Sequence, residues 1–242
     1  MAEVETILHD GWVEVILNRP ETKNSINGPL GECLATALRD VDGNDDVQVI
    51  VLRGADGAFC SGLDLKAFNA DPEPDWLPDF GTIWRGAHKA LYESKKPIIA
   101  ALERYAINGG AALALAADLL IVGNTSFLQV GEVKLGMAAP YNMAWLRLRH
   151  SENVTARLAI TGRRFSGEEL AQMGVAYESV ADDAVVTRAC ELAEELAAYP
   201  NGAHARIKAL MRAYNNVPAD EWFDRATSLT GGARVKPKAV KN

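Results

Sequence analysis

Ala106-Ile107-Asn108-Gly109-Gly110-Ala111-Ala112-Leu113 lies between two short, nearly all-apolar runs, Ile98 to Leu102 and Leu119 to Val122. A strand covered on both faces reads as such a run, because neither face turns to water. Here the glycines open an alanine-rich helical stretch between two buried strands. Strands that alternate with helices in this way predict a right-handed α/β arrangement. Val47 to Leu52 is a third run of the same kind, and it too leads into a glycine turn, Ala58-Phe59-Cys60-Ser61-Gly62-Leu63-Asp64-Leu65. Upstream, Val4 to Leu8 and Trp12 to Leu17 alternate apolar and polar residues on either side of Asp10-Gly11, which predicts an opening hairpin. Leu30, Leu34, Ala37, Leu38 and Val41 fall at helical spacing within a helix expected from about Pro29 to Val41. Asp71 to Asp79, dense in proline and acids, reads as an irregular surface loop. From Ser151 onward the pattern is almost purely helical, with helices expected at about 152–161, 167–172, 182–199, 202–214 and 218–229. The tail, Gly231-Gly232 with Arg234, Lys236, Lys238 and Lys241, is expected to fray.

A chain of 242 residues, 48% of them apolar, can bury roughly three quarters of its unfolded surface, which excludes disorder for the bulk. Its length fits one large domain with an appendage as well as two domains. Twenty-five Lys and Arg against thirty-two Asp and Glu leave a net charge of −7, which argues against a dedicated nucleic-acid binder. Cys33, Cys60 and Cys190 match neither a disulfide framework nor metal-ligand spacing, and point to a reducing, cytoplasmic setting. Met1 to Asp10 carries no apolar targeting core, and no run approaches the roughly 18 apolar residues of a membrane span. A soluble, untargeted protein without membrane partners is expected.

The two glycine turns are where chemistry can sit. A helix N-terminus has unpaired N–H groups and the positive end of the helix dipole, so it can hold a developing negative charge. Taken alone, either turn more often serves plain chain reversal. Glu132, in Val130-Gly131-Glu132-Val133-Lys134-Leu135-Gly136, is a polar residue among apolar ones, although most glutamates are simply solvated. No GxSxG or HExxH occurs, Cys60 has no His nearby in sequence, and no metal site is expected. His9, His88, His150 and His204 lie outside the motifs and are expected on the surface or in packing roles.

Five ordered motifs run through the chain: Leu17-Asn18-Arg19-Pro20 with Asn24 and Asn27, Phe59 to Leu65, Asn108-Gly109-Gly110, Ala117-Asp118-Leu119, and Phe127 to Pro140 with Glu132, Leu135 and Gly136. With these the sequence resembles the crotonase superfamily of acyl-CoA enzymes, the enoyl-CoA hydratases and isomerases. The resemblance implies an α/β fold, a ββα spiral core at about 1–195, and a C-terminal helical trimerisation region at 196–242. It implies that the backbone N–H groups of Leu63 and Gly109 polarise a thioester carbonyl while Glu132 serves as acid and base. No cofactor is implied, since the coenzyme A thioester is itself the substrate. Its adenine and phosphates are expected near Lys23, Ser25, Ala58 and Lys66, with Lys23 and Lys66 able to pair with phosphate or to remain solvated. Asp64 is expected to cap a short helix starting near Leu65. A homotrimer or dimer of trimers is the expected assembly.

The sequence also departs from the family. Hydratases that it resembles carry a second glutamate at the position of Ala112, and two carboxylates together hold the attacking water. Ala112 cannot, so a Δ3,Δ2-enoyl-CoA isomerase using one carboxylate is expected, and the stretches Ser61 to Leu65 and Glu132 to Tyr141 resemble the mitochondrial-type isomerase branch. An enoyl-CoA hydratase holding its water otherwise, or a non-catalytic acyl-CoA-binding protein, are the alternatives. Arg104 and Asn108 each stand where a glycine is usual; asparagine tolerates left-handed backbone, whereas Arg104 is expected to reach solvent or a neighbouring subunit.

Overall fold

All five expected strands form and lie side by side. In the computed structural model, which describes residues 2–213 and 217–228, the elements in chain order are β1 (Val4–Leu8), β2 (Trp12–Leu17), α1 (Gly28–Asp42), β3 (Val49–Gly54), α2 (Leu65–Phe68), α3 (Phe80–Glu93), β4 (Ile98–Leu102), β5 (Tyr105–Ile107), α4 (Gly109–Ala116), β6 (Leu119–Gly123), β7 (Phe127–Gln129), α5 (Pro140–Arg149), α6 (Glu152–Thr161), β8 (Arg164–Ser166), α7 (Gly167–Gln172), β9 (Glu178–Val180), α8 (Val185–Ala197), α9 (Ala203–Ala213) and α10 (Ala219–Ser228). Short 3-10 turns stand at Pro20–Thr22 and Glu132–Leu135. The expected helix ends at 214 and 229, and the basic tail, lie outside the described residues.

One sheet has the order β1-β2-β3-β4-β6-β9, parallel except for the β1-β2 hairpin. A smaller sheet has the order β5-β7-β8. The chain visits them in turn: β4, then β5, then α4; β6, then β7, then the Glu132 turn and α5. Each pass adds a strand to each sheet and a helix outside, which is the ββα spiral.

The apolar runs are continuous because both sheet faces are covered. Val49, Val51, Ile99, Ala101 and Ile121 pack on Val185, Ala189, Leu192 and Ala193 of α8. Ile50, Leu52, Ile98, Ala100, Leu102 and Val122 face the larger core with α1, α3 and α4. Strict alternation fails in β2, where all six residues are buried. Glu14 is tolerated there because Arg53 and His9 pair with it.

Two expectations are corrected. The region after Ser151 is not purely helical: β8 joins the small sheet through β7, and β9 forms an edge of the large one. Three-residue strands carry too little periodicity to stand out between helices. The helix α3 was not among the elements expected; Trp84, Ala87, His88 and Leu91 form its buried stripe, with Gly81 and Gly86 weakening the pattern.

Candidate active site

Backbone pairing brings the two glycine turns together. Phe59 and Cys60 donate N–H bonds to Glu103 O and Tyr105 O (both 3.1 Å), and Ile107 N–H returns one to Cys60 O (3.1 Å). A Cβ on Gly62 would stand 2.9 Å from Ile107 O, and one on Gly110 2.5 Å from Cys60 O, so side chains at either place would force the turns apart. Gly62 also has φ +93°, which suits glycine. On either side of Leu63, Gly62 O accepts from Ile26 N–H (2.8 Å) and Asp64 N–H donates to Ile26 O (2.9 Å). The Leu63 N–H between them has no acceptor among the described residues. Gly109 is the first residue of α4, and its N–H likewise is without a partner there. Asp64 caps α2 as expected, accepting from Ala67 N–H at 3.0 Å, and it also holds Arg19.

Asn108 adopts φ +52° and ψ −110°, a backbone region that disfavours side chains. Its side chain compensates: Oδ1 accepts from Gly131 N–H at 2.9 Å, tying the glycine turn to the segment that carries Glu132. Arg104 has φ +53° on an exposed turn, which explains the family's glycine and agrees with its expected reach to solvent.

Leu63, Gly109, Ala112 and Glu132 line one cavity of about 580 Å³, walled by Leu65, Phe80, Trp84, Leu135, Met137 and Tyr141. Glu132 is only 8% exposed. Its Oε1 accepts a 2.9 Å hydrogen bond from Asn142 Nδ2, while Oε2 is buried without a partner. Burial drives its pKa up to about 7, against the milder lowering by its own backbone N–H and by Asn142. No cation is paired with it among the described residues. It is therefore poised to gain and lose a proton near neutral pH.

Asn142, on the first turn of α5, is the residue the sequence did not reveal. Its amide donates both to Glu132 and to Asn108 O (3.0 Å), leaving its own Oδ1 buried and unpartnered in the same cavity wall. The only sequence signal nearby is Pro140 opening a helix, which says nothing about which face meets Glu132.

The positions expected to meet coenzyme A stand apart from the cavity lining. Lys23 and Lys66 are exposed. Lys23 O accepts from the N–H of Ser61, a lining residue, at 3.1 Å, and Lys66 follows the lining residue Leu65. Ser25 is buried against Arg19, and Ala58 O accepts from Asn24 Nδ2 at 2.7 Å. Of the histidines, His88 is fully buried. Its Nδ1 accepts from Trp145 Nε1–H (2.9 Å), and burial presses its pKa down to about 3, so it packs as a neutral ring, as expected.

The chain from residue 9 to residue 227 matches the family described as Enoyl-CoA hydratase/isomerase. The 1,2-epoxyphenylacetyl-CoA isomerase of Escherichia coli (strain K12) is 30% identical over 219 residues, covering 88% of this chain and 83% of that protein. A carnitinyl-CoA dehydratase of Proteus mirabilis (strain HI4320) is 31% identical over 214 residues, covering 87% and 80%. The crystal structure of enoyl-CoA hydratase from Mycobacterium tuberculosis H37Rv has 29% identity and a TM-score of 0.77, over 95% of this chain and 89% of that one. These relatives differ in their named reactions while sharing an acyl-CoA. With the match spanning nearly the whole chain, the protein belongs to the enoyl-CoA hydratase/isomerase family of acyl-CoA enzymes.

Proposed function

We propose that this protein is a Δ3,Δ2-enoyl-CoA isomerase in which Glu132 is the sole acid and base. The observation that carries the reading is Ala112: it lines the cavity, is fully buried, and offers no second carboxylate to hold a water for hydration. The thioester oxygen would sit between the N–H groups of Leu63 and Gly109. Removing a proton from C2 sends the electron pair into a dienolate whose charge collects on that oxygen. Two fixed donors then stabilise it by about 3 kcal/mol each, by analogy with other oxyanion holes. The protonated Glu132 returns its proton at C4, the double bond forms between C2 and C3, and the carboxylate is restored. The thioester supplies the activation, so the reaction needs no cofactor. Lys23, Ser25, Ala58 and Lys66 are the proposed surroundings of the nucleotide part, and a homotrimer the proposed assembly.

One observation favours a second reading. Glu132 Oε2 and Asn142 Oδ1 are both buried acceptors without donors among the described residues, a pair that a water could satisfy. That would make the protein a hydratase or dehydratase with Asn142 in the role of the missing carboxylate. Purified protein assayed on 3-enoyl-CoA and 2-enoyl-CoA of one chain length separates the two. The isomerase reading expects isomerisation to exceed hydration by about a hundredfold or more in kcat/KM, since acid–base help from one group is worth about 10²–10⁴. It also expects Ala112→Glu to narrow the gap. Comparable rates in the unaltered protein would shift the assignment to hydration, and turnover of neither at any chain length would favour an acyl-CoA-binding protein.

A further inference from the structure

The helix α4 borders two cavities. Gly109 and Ala112 line the one described above, whereas Ala114, Leu115 and, just beyond the helix, Ala117 line a second, of about 500 Å³. Eight residues of helix span about 12 Å, so the two lie near opposite ends of one short rod. Asp118, Arg149, His150 and Arg212 line the second cavity, and Lys208 stands behind Asp118 with its side chain 6% exposed. Three cations thus surround one carboxylate.

Asp118 is fully engaged before Arg212 reaches it. Oδ2 accepts from Ile98 N–H (2.9 Å) and lies 2.8 Å from Lys208 Nζ. Oδ1 accepts from Arg149 Nη2 at 3.0 Å. Arg212 Nη2 comes only to 3.9 Å of Oδ1, too far for a hydrogen bond. Its Nε and Nη2, and the Nε of Arg149, are buried without hydrogen-bond partners among the described residues. The Arg212 guanidinium sits 4.9 Å from the Tyr92 ring centroid. Aromatic contact holds that charge in place but accepts no N–H bond. Buried donors on a cation are costly to leave unmet, and native structures rarely do so. Burial and the neighbouring cations lower the pKa of Lys208, of Arg212 and of His150, the direction expected where positive charge is in excess.

We propose that this cavity is a binding site for a small oxyanion of phosphate or carboxylate chemistry, gripped by the guanidinium groups of Arg212 and Arg149. A guanidinium presents parallel N–H donors that match two oxygens of such a group, and both Arg212 and Arg149 line the cavity. The oxyanion neutralises the cluster and ties α9 to the junction of α4 and α5. It comes either from a solute or from a carboxylate of a second copy of this chain.

The test uses the full chain, with inorganic phosphate as probe and sodium chloride at matched ionic strength as reference. A ligand that binds only the folded state raises its stability as RT ln(1 + [L]/Kd), which climbs logarithmically once its concentration passes Kd. Phosphate is expected to raise Tm by about 3 °C or more at about tenfold excess over its Kd, and Arg212→Met, which keeps the stem packed on Tyr92, is expected to lose that response. A second readout needs no variant: the NMR titration of His150 moves to higher pH as phosphate fills the site, half of the shift falling at the Kd that the Tm series gives. Sedimentation at several protein concentrations identifies the source. Dissociation of an oligomer by phosphate supports the site with a neighbouring copy's carboxylate as its occupant, and unchanged assembly supports it with a solute. No rise in Tm beyond that in chloride, or an undiminished one in Arg212→Met, overturns the proposal.

Discussion

Glu132 is buried and Asp118 nearly so; the two carboxylates lie near opposite ends of α4, and their surroundings push them in opposite directions. Both lose hydration. Asp118 regains it from Lys208, Arg149 and the Ile98 N–H, and its pKa falls below the ordinary carboxylate range despite burial. Glu132 accepts from the Asn142 amide and, among the described residues, pairs with no cation, and burial lifts its pKa to about 7. Burial alone therefore does not leave a carboxylate with a raised pKa; burial without a compensating charge does. Asp118 holds the fold together, and Glu132 is left able to exchange a proton.

The largest expected effect breaks the structural member of the pair. Asp118→Ala leaves Lys208, Arg149 and Arg212 without an anion, and uncompensated buried charge costs about 3–5 kcal/mol. At about 2–4 °C per kcal/mol for a chain of this size, Tm should fall by roughly 10 °C in a thermal melt at neutral pH. A fall of a degree or two would mean that the cluster is solvated and contributes little.

Glu132 predicts a smaller effect of opposite sign. The folded protein keeps this proton to about pH 7, while the unfolded chain releases it near 4.5, so the native state binds more protons across that window and loses stability as pH rises through it. Glu132→Gln carries no such loss. Its stability relative to the unaltered protein should grow by about 2–3 kcal/mol between pH 5 and pH 8, measured by denaturant unfolding at both values. Asp118 works in the other direction: its contribution is complete above pH 3.8 and fades only as pH drops through its lowered pKa. A pH-independent difference between Glu132→Gln and the parent would contradict the assigned burial.

The smallest effect sharpens the member with the raised pKa. Asn142 Nδ2 stabilises ionised Glu132, so Asn142→Ala should raise the pKa further and move the acid limb of the kcat/KM profile for isomerisation up by as much as about one pH unit. An unmoved limb with lower activity throughout would reduce Asn142 to packing.

The same contrast marks what the sequence could reveal. Elements fixed by local chemistry were legible: β4 and α6 appear with the bounds expected, and α7 opens on Ser166 with Glu169 in a reciprocal capping pair. β8 and β9 were not, because strands of three residues are defined by the neighbours they pair with. In the site, the glycine turns follow from spacing and resemblance, since close backbone approach demands glycine at Gly62 and Gly110. Glu132 stood out through its place in the family pattern. Asn142 stayed hidden because its role depends on how α5 lies against the Glu132 turn, a tertiary fact with no local signature. The excess charge at Arg212 was equally invisible, since its partners are Asp118 and Tyr92, far away in sequence.

In the proposed isomerisation Glu132 acts in the reaction and not in holding the substrate. Isomerisation of a 3-enoyl-CoA and binding of the same acyl-CoA, measured side by side on Glu132→Gln, test this most directly. The predicted result is a loss of turnover of about 10³-fold or more with acyl-CoA affinity kept within about fivefold, because the carboxylate acts in the transition state while backbone donors hold the ligand. Turnover that survives the substitution, or that falls only in step with affinity, would contradict it.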